Sequence, residues 1–202
     1  MLAALRREDY ETAYALTRPL ADQGLAVAQF VLGVMYGGGH GVSQNYAEAA
    51  KWFRKAADQG LAEAQTILGV MYVKGQGVAQ NDAEAAKWFR KAADQGLATA
   101  ESNLGLMYAQ GHGVAQNDAE AAKWFRKAAD HGLAEALTIL GAMYVRGQGV
   151  AQNYILAHIW FNLAAAQGDA AALANRDHLA RMMTPAQIAE AQRLAQERKR
   201  TK

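Results

Sequence analysis

Apolar and polar positions recur along this chain at a spacing of 36 residues. Gly24, Gly60, Gly96, Gly132 and Gly168 mark the joints. The blocks 25–60, 61–96, 97–132 and 133–168 each read roughly LAxAxxxLGxMYxxGxGVxQN followed by AEAAKWFRKAADQG. In the second half of a block the apolar residues fall at i, i+3, i+4 and i+7, the period of a helix with one buried face. Ala49, Trp52, Phe53 and Ala56 follow it, and the next two copies repeat it. No alternating segment of useful strand length occurs. Each block therefore predicts helix A over about 26–37, 62–73, 98–109 and 134–145, and helix B over about 46–59, 82–95, 118–131 and 154–167. A Gly-x-Gly-Val loop, beginning at Gly39, Gly75, Gly111 or Gly147, joins them.

Local signals agree with that division. Asn45, Asn81 and Asn117 stand where a side chain caps helix B, and Glu48, Glu84 and Glu120 follow at capping-box spacing. The joint glycines suit the left-handed residue that ends a helix. One Trp recurs per block, Trp52, Trp88, Trp124 and Trp160, and reads as packing between helices. Glu48, Lys51, Arg54, Lys55 and Asp58 read as a solvated face with i, i+3 and i, i+4 pairs. A fixed period of this kind marks a stacked array.

The motifs LGxMYxxGxGV and AxxWFRKAAxxG resemble those of the Sel-1-like repeat family, a bacterial-type relative of the tetratricopeptide repeats. The likeness covers 25–168 almost without gaps; 9–24 look like an isolated helix B, and Met183–Ala191 resembles the C-terminal helix of bacterial members. The resemblance implies an all-α, right-handed α/α solenoid with a concave surface lined mainly by A helices. It divides one repeat domain into an N-terminal half-repeat (1–24), four repeats, and capping helices (169–202). It implies a non-catalytic scaffold or adaptor that binds a protein or peptide segment in its groove. The alternative is a cell-envelope regulator or cell-wall ligand binder using the same groove; a hydrolase is remote.

Comparison of the four copies nominates the groove. At about 100° per residue, Ala26, Ala28, Leu32, Gly33, Met35 and Tyr36 share one half of helix A and recur in every copy. Position 29 is the exception on that half: Gln29, Gln65, Glu101, Leu137. The changing positions lie on a separate arc. The first copy carries Val27, Phe30, Val31 and Val34 there, and the second Glu63, Thr66, Ile67, Val70 and Lys74. The third carries Thr99, Ser102, Asn103, Leu106 and Gln110, and the fourth Glu135, Thr138, Ile139, Ala142 and Arg146. Helices packed 8–10 Å apart would give four repeats a span of about 40 Å, enough for roughly 10–12 residues of extended peptide. The competing reading is drift at exposed sites, with Phe30 buried against the half-repeat.

The fourth helix B is atypical, with Leu156, Ile159 and Leu163 where the others carry Glu, Lys and Lys. A fold-back of the chain end would cover this apolar face. Thr184-Pro185-Ala186-Gln187 reads as a capped helix start, and Ile188, Ala191, Leu194 and Ala195 give that helix an apolar side. A homodimer through Leu156, Ile159 and Leu163 is the rival to an otherwise expected monomer.

The formal charge of +2 gives no case for nucleic acid, and the basic end, Arg198–Lys202, reads as a solvated tail. No run approaches the roughly 20 apolar residues of a membrane span. The start, Met1–Glu8, lacks the apolar stretch of a secretory signal. It begins part-way into a repeat, which leaves room for a removed leader and leaves the compartment open. No cofactor is expected. The Gly-x-Gly loops follow helices and lack the Gly-Lys-Ser/Thr ending of a phosphate loop. His40, His112, His131, His158 and His178 have no compact ligand spacing. Ser43 lies three residues after His40 without an orienting acid. The chain has no cysteine, so the β-lactam chemistry linked to cysteine-rich relatives does not carry over.

Overall fold

The computed structural model describes residues 9–200, with side chains as far as Glu197. The readings of Met1–Glu8 and of the basic end from Arg198 fall outside the described residues or side chains. Among the described residues there are eleven α-helices and no strand: α1 Tyr10–Asp22, α2 Ala26–Gly38, α3 Tyr46–Asp58, α4 Ala62–Lys74, α5 Asp82–Ala93, α6 Ala98–Gln110, α7 Asp118–Asp130, α8 Ala134–Arg146, α9 Tyr154–Ala165, α10 Ala170–Ala180 and α11 Pro185–Arg200. Helix A is α2, α4, α6 and α8; helix B is α3, α5, α7 and α9. The chain divides into two compact units, Met1–Ala100 with His112–Val114 and Glu101–Gly111 with Ala115–Lys202.

In the first unit each helix packs on the next from α1 to α5. Trp52 is buried with Ala21 of α1 and with Ala28 and Leu32 of α2. Trp88 is buried likewise with Ala56, Ala57, Ala64 and Leu68. Trp88 thus bridges the helix A of its own repeat and the preceding helix B, and Trp52 bridges α2 and α1 in the same way. That position rules out an exposed aromatic cage at these two residues.

Gly33 explains its own recurrence. A Cβ there would sit 2.8 Å from the Phe53 ring, and one at Gly69 would sit 2.6 Å from that of Phe89. The missing side chain is the seat of the phenyl ring, so helix A and helix B approach closely at this pair.

The second unit is built around α9, which packs against α8, α10 and α11. One core joins Phe125, Leu137, Leu140, Met143, Ile159, Trp160, Phe161, Leu179, Ala191 and Ala195, with Leu156, Leu163, Ile188 and Leu194 packed on it. The apolar outer face of α9 is therefore taken up within the unit. Thr184 and Gln187 form a reciprocal capping box at the start of α11: the Gln187 N–H donates to Thr184 Oγ1 at 3.2 Å, and the Thr184 N–H to Gln187 Oε1 at 2.9 Å.

The box expected at Asn45, Asn81 and Asn117 forms only by half. Each Asn Oδ1 accepts the N–H three residues on, at 3.0–3.1 Å, but the glutamates turn away to Lys51, Lys87 and Lys123. The reason is that the Asn N–H groups already donate to the carbonyls of Tyr36, Tyr72 and Tyr108 of the preceding helix A. A cap that also ties the loop shut leaves the glutamate no donor to satisfy.

Candidate functional site

Helix A separates cleanly into a packed side and an open side in the first unit. Ala28, Leu32, Gly33 and Met35 are buried. Val27 is 48% exposed and Val34 41% exposed, with Phe30 and Val31 half-buried between them. Phe30 does not lie on the half-repeat. It meets Phe53 edge-on, 5.7 Å between ring centroids, in the clusters formed by α3 and α4. In α4, Glu63 and Lys74 are exposed, while Thr66, Ile67 and Val70 are half-buried. Thr66 donates to the Ala62 carbonyl at 2.9 Å, and Ile67 packs beside Phe53 and Met71. Thr99, at the start of α6, is exposed.

The second unit departs from the expected arc at two positions. Ser102 is buried and its Oγ makes no hydrogen bond. Thr138 donates its hydroxyl proton to Asp169 Oδ2 at 2.6 Å, with the Ala134 carbonyl oxygen 3.2 Å away as its other acceptor. Asp169 also accepts the Ala172 N–H as the N-cap of α10, and these bonds hold its carboxyl below its ordinary range. Ser102 is thus withdrawn from solvent and Thr138 ties α8 to the start of α10, which angular position on one helix cannot reveal. Asn103, Leu106, Ile139 and Ala142 are half-buried, and Gln110, Glu135 and Arg146 are exposed.

Position 29 has a role that the copies disclose only in pairs. Gln29 Nε2 donates to the Ala21 carbonyl at 3.2 Å, and Gln59 Nε2 donates to Gln29 Oε1 at 2.7 Å. Gln65 and Gln95 repeat the pair at 2.8 Å. In the third copy both members change: Glu101, 1% exposed, meets His131 Nδ1 at 2.8 Å. In the fourth, Leu137 is buried instead. In each copy that keeps a buried polar residue here, the following helix end supplies its partner.

The solvated-face reading of helix B also needs correction. Arg54 is half-buried. It donates to the Tyr72 hydroxyl of the next helix A and lies 5.8 Å from the Trp88 ring centroid. Arg126 donates likewise to Tyr144. Lys55 and Lys91 sit over Trp52 and Trp88, at 3.9 and 4.1 Å. These cations cover the rims of buried rings at a gain of about 0.5–1 kcal/mol each.

The histidines serve separate local roles. His40 stacks on Tyr10, 4.6 Å between centroids. Among the described residues no group of three or more His, Asp or Glu is placed to hold a metal ion. His158 is buried on α9, and its Nδ1 makes no hydrogen bond. Burial, together with Arg176 of α10, holds its pKa below the ordinary 6.5, while Asp177 opposes the shift. The unfolded chain therefore takes up this proton first as pH falls, so the contribution of neutral His158 is present at pH 7 and is lost below about 6.5. Thermal unfolding at pH 7.5 and 5.5 checks this. The parent should lose stability at the lower pH, and His158→Ala, the residue of the other repeats, should lose less. Equal losses would remove His158 as the cause.

No helix among the described residues is long and apolar enough to cross a membrane. The family model described as "Sel1 repeat" matches at 26–61, 62–97, 98–133 and 134–169. Among solved structures, a Sel1 repeat protein from Oxalobacter formigenes is 37% identical over 85% of this chain and 70% of its own, with a TM-score of 0.80. A protective antigen of uropathogenic Escherichia coli with an SLR fold is 42% identical over 79% of this chain, TM-score 0.78. The match spans only 34% of that antigen's length. The cysteine-rich protein B of Helicobacter pylori is 25% identical over 65% of this chain and 95% of its own, TM-score 0.53. None of the curated proteins matches. The fold class is accordingly the all-α repeat solenoid, and proteins built from such repeats are generally protein-interaction scaffolds.

Proposed function

Because the chain belongs to the Sel1 repeat family, we propose that it is a non-catalytic scaffold that binds a segment of another protein through the varying arcs of its A helices. The observation that carries this reading is the apolar stripe of α2. Val27 and Val34 stand two turns apart and nearly half exposed, on a helix whose other side is fully engaged. Burying such a pair against a partner is worth about 1–2 kcal/mol per side chain. Glu63 and Lys74 on α4 add exposed charges of both signs within the same unit, which suits selection among segments more than raw affinity.

Peptides selected from a random library against the whole protein test the reading, with their footprints mapped by amide hydrogen exchange. Protection should fall on α2 and α4, and Val27→Asp with Val34→Asp should weaken binding at least ten-fold. These are surface changes, so the fold should persist by circular dichroism. Peptides that bind elsewhere, or that bind the double variant as tightly, would defeat the proposal.

A further inference from the structure

The second unit contains an open cavity of about 240 Å³ between the end of α8 and α10. Phe161 and Leu179 form its apolar depth, with Leu179 only 1% exposed, and Met182 stands at its edge, 51% exposed. Arg146, Asn175 and His178 supply its polar lining. A site for a drug-sized molecule encloses about 300–1,000 Å³, so this one is the size of a single large side chain. Arg146 is exposed and makes no ion pair or hydrogen bond with the described residues. It is thus a free guanidinium, with the fork geometry that takes a carboxylate bidentately, on the wall of an apolar pocket.

The carboxylate must lie within one residue's reach of the apolar group, because both features line one cavity. In an extended segment successive side chains point to opposite faces, so an Asp or Glu next to the anchored residue would face away. A chain terminus has no such difficulty, since its carboxylate shares the Cα of its last side chain. We propose that this pocket receives the C-terminal residue of a partner protein: a large apolar side chain against Phe161, Leu179 and Met182, and its α-carboxylate on Arg146. The Asn175 amide is available to the last peptide group. This deepens the scaffold reading and rests on it, because Ala142 and Arg146 belong to the arc of α8.

Methyl NMR of Met182 and Ala142 tests it on the full chain with four probes: N-acetyl-phenylalanine, its primary amide, and an octapeptide ending in Phe with the terminus free or amidated. Both free acids should shift the two methyls saturably, the octapeptide at least as tightly as the single residue, and both amides about ten-fold more weakly. Arg146→Gln should bring the acids down to the level of the amides, and Ala142→Leu, which fills the pocket, should abolish the shifts. The proposal is overturned if acid and amide bind alike, if Arg146→Gln leaves the acids unaffected, or if no probe moves the methyls. An octapeptide weaker than the single residue overturns it too, since the site would then take small acids and not chain ends. Selected peptides that protect the A helices while these probes fail would sink the pocket and leave the scaffold reading standing; the reverse result would sink that reading alone.

Discussion

Gly149→Ala should destabilise the second unit by about 3 kcal/mol or more, whereas Gly168→Ala should cost only about 1–2 kcal/mol. Both residues have positive φ, +68° and +92°. An alanine held in the left-handed region loses roughly 1–2 kcal/mol for that reason alone. The difference lies in what the new methyl would meet. At Gly168 nothing lies within 4 Å. At Gly149 a Cβ would sit 2.0 Å from the Asp118 carbonyl oxygen and 2.3 Å from its carbon. Those are backbone atoms at the first turn of α7, so no rotamer change relieves the clash. Either the loop lifts off the helix or the helix start distorts, and overpacking of this kind adds about 1–3 kcal/mol. Lifting the loop would also break the bond from Gln148 Nε2 to Asp118 Oδ1. Urea unfolding of the two variants, read by circular dichroism, decides the matter. Equal midpoints would mean that the loop yields freely and that backbone conformation, not contact, is the constraint.

The same residue shows where sequence reading stopped. Both glycines of the Gly-x-Gly loop have positive φ. Only the structure distinguishes them, because the atom that the second one must clear belongs to the preceding repeat's helix B. Gly33 is a similar case: its reason is the Phe53 ring, 20 residues later in the chain. The helix pairs, the Asn caps and the buried Trp positions were legible because each rests on contacts within one period or on a spacing that repeats. The Glu101–His131 pair was nearly legible. Each residue breaks the pattern of its own position, and only reading the two breaks together identifies a contact. The arc of helix A was drawn from angles on a single helix. It therefore included Ser102, which is buried, and Thr138, whose partner Asp169 lies outside that helix.

The largest effect should come from replacing Leu156, Ile159 and Leu163 with Glu, Lys and Lys, the residues of the other repeats, and its sign should depend on α11. In the full chain Ile159 is 4% exposed in the core that holds Ala191 and Ala195. Placing charge there leaves buried ions without partners, at a cost on the order of 3–5 kcal/mol, and the second unit should unfold at a much lower urea concentration. In a chain ending at Thr184, α11 is absent and the same face meets water. With the native residues that shortened chain should lose stability and self-associate through the exposed apolar stripe. With the charged residues it should return to a monomer and unfold at a higher urea concentration than its unsubstituted counterpart. Light scattering and urea unfolding of the four chains complete the cycle. If the shortened native chain were a soluble monomer of unchanged stability, α11 would not be what the apolar face of α9 requires. If the triple substitution were harmful in both backgrounds by the same amount, those side chains would owe their burial to α8 and α10 alone. Opposite signs in the two backgrounds are expected only if α11 is the cover for which this helix B exchanged its charges.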